Sequence, residues 1–155
     1  DFSERFRGSV STWRSIYIYV AIAVNVLDLA TNFRYILAMS IFKTTLTNAD
    51  FNGVLDVHAE DLHDLLDKVV LIDVRQPDEF TGELGHIENA RLIPLATLPQ
   101  EIDKLLPDQT MVFVCRSGGR SARATAFALE SGLSAVYNLK GGMLRWNQLG
   151  FEVKK

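Results

Sequence analysis

At 155 residues the chain has room for one ordinary domain, or for a domain of about a hundred residues with an appendage. An apolar fraction of 48% and a charged fraction of 23% exclude a disordered or fibrous chain, and a net charge of −3 argues against nucleic acid as a bulk partner. A single cysteine excludes an internal disulfide and a four-Cys metal cage, and leaves no second thiol to resolve the first.

The first fifty residues differ from the rest. They carry 5 Lys and Arg against 4 Asp and Glu, which leaves the remainder at −4. IYIYVAIAVNVL runs from Ile16 to Leu27, and after DLATN a second apolar run, FRYILAMSIF, ends at Phe42. Only Asp28 and Arg34 are charged between Ile16 and Phe42. A membrane-spanning helix needs about 20 mostly apolar residues, so the first run is too short and the combined run is interrupted. β-branched residues at 16, 18, 20, 22, 24 and 26 suit a strand at least as well as a helix. Four readings fit this stretch: a membrane anchor or hairpin, a signal peptide, packing against the soluble domain or a dimer partner, or a segment foreign to the domain, since the chain begins at Asp1 rather than Met. Arg5, Arg7 and Arg14 on one side and Lys43 on the other favour the anchor, and no clean A-x-A site favours the signal peptide. Residues 1–50 are therefore expected to be a hydrophobic attachment, to a membrane or to another subunit through residues 16–42, and to be dispensable for catalysis. Whether the chain is membrane-associated or cytoplasmic stays open.

The polar, turn-rich KTTLTNADFNG from Lys43 to Gly53 marks a boundary, which assigns residues 51–155 to a second unit. LDVHA at 55–59 reads as a short strand entering a helix over Glu60–Leu66. VVLIDV at 69–74 is a strand covered on both faces, and Pro77-Asp78-Glu79 opens a helical turn. RLIP at 91–94 is a further strand, and Thr97–Leu106 a helix with Leu98, Ile102, Leu105 and Leu106 on one side. MVFVC at 111–115 is a buried strand running into a Gly-bearing loop and a helix from about Ser121 to Glu130, with Ala124, Phe127 and Ala128 on its inner face. AVYNL at 135–139 and Gly142–Gln148 are the last strand and helix. Alternating strands and helices predict an α/β domain with a mainly parallel sheet.

Ligands of such sheets bind beyond the carboxyl ends of the strands, and Cys115 lies at that end of MVFVC. Arg116, Ser117, Gly118, Gly119, Arg120 and Ser121 follow it. Glycines let loop N–H groups turn inward, the next helix aims its positive end at the same point, and two arginines add positive charge. Such a cradle stabilises a thiolate, hence a nucleophile, and suits an anion delivered to it. The plainer alternative is a small buried core residue.

CRSGGRS resembles the active-site loop of the rhodanese-homology domain, a sulfurtransferase family. LIDVR at 71–75 with PDEF at 77–80, GHIENARLIPL at 85–95 and NLKGGMLRW at 138–146 are similar to the family's other hallmarks, in order, over about residues 55–153. The resemblance implies a rhodanese-like fold: five strands, mainly parallel, flanked by helices, with the N-terminal hydrophobic appendage added. It also implies that Cys115 takes a sulfane sulfur from a small donor as a persulfide and passes it to a thiol or cyanide. The loop from Arg116 to Ser121 then cradles the sulfur, with Arg116 and Arg120 placed for donor anions. Asp73 and Arg75 read as a strand-end ion pair or loop brace, and His86 as a structural hydrogen bond rather than a base. No cofactor is expected beyond the covalent persulfide. No metal is expected either, His58 and His63 being too far apart in phase to share a helix face. Trp146 and Phe127 read as core. Two departures stand out: two extra residues at Thr81–Leu84, and Glu88-Asn89 where the family has Pro-Gly.

Two rival functions remain. Cysteine phosphatases use similar strand–loop–helix logic, but with five residues between Cys and Arg and usually a His before the Cys. Here four residues separate Cys115 from Arg120, and Val114 precedes. A non-catalytic regulatory or docking module is the other alternative, and the intact cysteine and loop arginines argue against it.

Overall fold

The computed structural model describes residues 41–155. The expectations for residues 16–40, whether anchor, hairpin, signal peptide or subunit contact, lie outside the described residues. The last two residues of that apolar run are described: Ile41 packs on the core, and Phe42 is buried with its ring 4.9 Å from that of Tyr137. Among the described residues no helix is long and apolar enough to cross a membrane.

Six strands form one sheet: β1 (Thr45–Thr47), β2 (Leu55–Val57), β3 (Val70–Asp73), β4 (Arg91–Leu92), β5 (Met111–Val114) and β6 (Val136–Leu139). Their order is β1-β2-β6-β5-β3-β4, with β1 antiparallel to β2 and every other pair parallel. The expected five are thus joined by β1, which falls inside the polar segment read as a boundary. Thr45 pairs with Val57 and Thr47 with Leu55, so this segment extends the sheet, its short threonine-bearing strand closing one edge.

The helices are α1 (Ala59–His63), α2 (Pro77–Phe80), α3 (Leu98–Glu101), α4 (Gly119–Glu130) and α5 (Gly142–Gln148), with 3₁₀ turns at Leu66–Lys68 and Ile102–Lys104. The helix expected over Glu60–Leu66 is therefore one turn and a separate 3₁₀ turn. The one expected over Thr97–Leu106 passes into 3₁₀ at Ile102–Lys104 and ends with Leu105 extended, two residues ahead of Pro107. Leu98, Ile102 and Leu105 are buried as expected, whereas Leu106 lies outside the helix and is exposed.

The parallel strands place alternate side chains in two cores. On β5, Met111 and Phe113, followed by Cys115, face a cluster with Ile72, Ala124 and Ala128. Val112 and Val114 face the other, with Leu71, Tyr137, Leu139, Met143 and Trp146. Alanines at 122, 124 and 128 let α4 lie close to the sheet. The central strand β5 thus pairs with β3 and β6 and delivers its next residue, Cys115, to the carboxyl edge.

Candidate active site

Cys115 is 1% exposed, and its Sγ accepts two hydrogen bonds, from the Gly118 N–H at 3.1 Å and from Ser121 Oγ at 3.2 Å. Ser121 Oγ also lies 3.1 Å from the Gly118 carbonyl, so one hydroxyl proton serves either the carbonyl or the sulfur. Gly118 caps α4 with φ +104°, a backbone shape that glycine adopts at least cost. It turns the loop so that the twelve-residue helix starts at Gly119, beside the thiol. The helix begins at Gly119, two residues before the expected Ser121, and the Ser121 hydroxyl reaches the sulfur from its first turn. Of the loop N–H groups, that of Gly118 reaches Sγ within hydrogen-bond distance.

The two loop arginines are not equivalent. Arg120 forms a two-pronged ion pair with Glu79, with Nη1–Oε2 and Nη2–Oε1 both 2.7 Å. Its hydrogen bonds hold the Glu79 carboxyl down at about 2, against the ordinary 4.5, and Glu79 in turn raises Arg120. Arg120, expected to contact donor anions, here has both Nη atoms engaged by Glu79, which ties α4 to α2. Arg116 is exposed, with no ion-pair partner among the described residues. Ser117 and Gly119 complete the loop surface.

The loop is clamped from behind by α5. The N–H groups of Met143 and Leu144 donate to the carbonyls of Cys115 and Arg116 at 2.9 and 3.0 Å. This approach requires the glycine pair of the KGGM segment. Gly142 has φ +54°, and a Cβ there would collide with the Cys115 carbonyl oxygen and lie 2.8 Å from the Arg116 carbonyl.

A second brace runs through Asp73 and Arg75, both fully buried. Arg75 Nη2 donates to Asp73 Oδ2 at 2.6 Å and Nε to Oδ1 at 2.9 Å, while its remaining donors reach the carbonyls of Glu79 (3.1 Å) and Gly85 (2.8 Å). The guanidinium therefore spans the loop that carries the extra residues at 81–84 and fixes Glu79, the partner of Arg120. His86 stacks on Phe80 at 3.7 Å, with Nδ1 3.1 Å from the Phe80 carbonyl, and its backbone bridges to Lys154. It holds the same loop. Asn89 adopts φ +63°, the left-handed shape that asparagine tolerates, and so fills the place where the family pattern has glycine. His63 packs against Phe151 and Trp146, and Trp146 is buried.

Two depressions border the loop at Ser117. One, of about 510 Å³, is lined by His58, Leu144 and Gln148, with Lys140 and Arg145 as its cations. Arg145 pairs with Glu60 at 2.6 Å. The other, of about 250 Å³, lies between Ser117–Gly119 and the strand residues Asp56 and Asn138. Neither Glu79, Gly142, Asp56 nor Asn138 was singled out in the sequence as a site residue. Glu79 lies 41 residues from its partner, and its one local signal is the capping position it fills in PDEF.

Fold and site together define a cysteine-loop α/β domain: one thiol beyond the central parallel strand, held by a glycine turn and a helix start. The rhodanese-like domain family matches residues 58–149, and the chain belongs to that family. Among curated relatives, an uncharacterized protein of Bacillus subtilis, YqhL, is 43% identical over 51% of this chain and 61% of its own length. A protein named sulfurtransferase from Allochromatium vinosum is 34% identical over 55% of this chain and 78% of its own. Of solved structures, a rhodanese-related protein from Thermoplasma volcanium superposes with a TM-score of 0.60 at 30% identity, covering 64% of this chain and 96% of that one. Sulfur transfer is thus an activity named among its relatives.

Proposed function

We propose that the chain is a sulfurtransferase that moves a sulfane sulfur from a donor such as thiosulfate or a small persulfide to a thiol or cyanide, through a persulfide on Cys115. The observation that carries this reading is the Cys115 Sγ, alone at the carboxyl end of β5 and held by Gly118 N–H and Ser121 Oγ. In the first step the Cys115 thiolate attacks the outer sulfur of the donor. A new S–S bond forms, and the bond inside thiosulfate breaks, its electron pair leaving with sulfite. In the second, the acceptor's lone pair attacks the outer sulfur, and the bond to Sγ breaks and returns the thiolate. The thiol proton is lost to solvent before the first step. Gly118 N–H and Ser121 Oγ–H stabilise the sulfur anion at the start and end of this cycle. Arg116, exposed and without an ion-pair partner among the described residues, supplies charge for an anionic donor at the mouth of the loop. Arg120 acts through Glu79 as a positioning residue.

The test is mass spectrometry after incubation with thiosulfate. One added sulfur is expected on the wild-type chain and none on Cys115→Ser, whose fold should be retained because the swap is close in size. Thiosulfate–cyanide transfer persisting in Cys115→Ser, or no adduct on the wild type with any sulfane donor, would overturn the proposal. The latter result would favour a docking role.

A further inference from the structure

Asp56 is the middle residue of β2 and is buried, with 7% of the residue exposed, yet no cation pairs with it among the described residues. Its Oδ1 accepts from two neutral amides, Asn48 Nδ2 and Asn138 Nδ2, each at 2.8 Å. The second contact fixes the Asn138 amide, since only its nitrogen can face a carboxylate. Asn138 Oδ1 is therefore an obligate acceptor. Asn138 is 2% exposed, and this Oδ1 is the buried side-chain atom that finds no hydrogen-bond partner among the described residues. Leaving such an atom unsatisfied is costly, so in native structures it receives a donor from protein, ordered water or a bound group.

Both side chains line the 250 Å³ pocket whose other wall is the backbone of Ser117, Gly118 and Gly119. That wall is shared with the thiol, because the same Gly118 donates to Cys115 Sγ. A pocket holding one buried negative charge and one unsatisfied acceptor calls for a cation that brings hydrogen-bond donors. A primary ammonium, with three donors and no acceptor, meets this demand. Carboxylates and phosphates are repelled. A metal ion is poorly served, since Asp56 Oδ1 is already occupied by two N–H groups.

We propose that this pocket is the acceptor subsite, selecting small thiols that carry a primary ammonium group, an inference that rests on the sulfur-transfer reading above. The acceptor's ammonium sits between Asp56 and Asn138 and keeps its proton. Its thiolate attacks the outer sulfur of the Cys115 persulfide, an S–S bond forms to the acceptor, and the bond to Sγ breaks with its electron pair returning to Cys115. The product leaves as the acceptor's hydropersulfide anion. Lys140, exposed and lining the same pocket, is the internal competitor for the site.

The experiment loads the full chain with thiosulfate and removes the excess donor. The loaded chain then meets cysteamine, N-acetylcysteamine or 2-mercaptoethanol at matched thiolate concentration, and loss of the added sulfur is followed by mass. Cysteamine is expected to unload the chain at least about tenfold faster than either neutral thiol, as befits a hydrogen bond to a charged group. Asp56→Asn, which retains an oxygen for both amides, is expected to bring that ratio to about one. Equal rates for the three thiols on the wild-type chain would overturn the subsite, and would do so also if Lys140 fills the pocket. A preference surviving in a folded Asp56→Asn chain would overturn it as well. A chain that never takes up sulfur would instead sink the sulfur-transfer reading, and the subsite with it.

Discussion

The clamp between α5 and the thiol loop makes Gly142→Ala the sharpest structural perturbation available. At φ +54° an alanine pays the left-handed penalty of about 1–2 kcal/mol. Its Cβ also meets the Cys115 carbonyl oxygen and, at 2.8 Å, the Arg116 carbonyl carbon and oxygen, and these are backbone atoms that cannot swing away. Overpacking of this kind costs about 1–3 kcal/mol, so the total is about 2–5 kcal/mol, a large share of the stability of a small domain. The relief available is retreat of the loop, which lengthens the Met143 and Leu144 N–H bonds to the Cys115 and Arg116 carbonyls and displaces Sγ. Urea unfolding and the rate of sulfur uptake from thiosulfate read the two consequences separately. Gly132→Ala is the control: it has φ +93° but nothing within 4 Å of its added Cβ, so it should show only the backbone penalty and load sulfur normally. Should Gly142→Ala be no less stable than Gly132→Ala and load sulfur at the wild-type rate, the clamp would have no part in holding the thiol.

Three further outcomes follow from the braces around the loop. Arg75→Met leaves the Asp73 carboxylate buried and unpaired and is expected to cost about 3–5 kcal/mol in urea unfolding; a loss under about 1 kcal/mol would mean that the buried pair braces nothing. Glu79→Gln is expected to destabilise by about 1–2 kcal/mol at neutral pH, a figure reduced for the partial exposure of the Arg120–Glu79 pair. Because the folded carboxyl is held at about 2 against 4.5, that stabilisation is present above about pH 4.5 and fades as pH falls toward 2. Wild type and variant should therefore converge in acid, and a pH-independent gap would refute the ion pair as its source. Arg116→Ala is expected to lower kcat/KM for thiosulfate on the order of tenfold while sparing uncharged persulfide donors; equal losses for both would assign Arg116 to loop shape instead.

Much of the fold was legible because its signals are local. The apolar runs at 69–74, 111–115 and 135–139 mark the buried parallel strands, and Gly142–Gln148 reads as the helix it is. The local setting of Cys115 was legible for the same reason: strand, glycines and helix start lie within a few residues of one another. The polar stretch around Thr45–Thr47 carries no such signal. It becomes a strand because the edge of β2 offers it hydrogen-bond partners, and Phe42 becomes core because Tyr137 covers it. The roles of the two arginines also lay beyond the sequence, which shows both as free charge beside the thiol. Only the packing of α2 against α4 brings Glu79 to Arg120, across 41 residues, and leaves Arg116 without an ion-pair partner among the described residues. Likewise Asp56 and Asn138, 82 residues apart, become one polar site only when β2 and β6 pair. Chain-local periodicity determines which segments are strands or helices, because a segment's own side chains decide which face can be buried. Which charges meet is decided by strand order and helix docking, because those alone set the distances over which charges act.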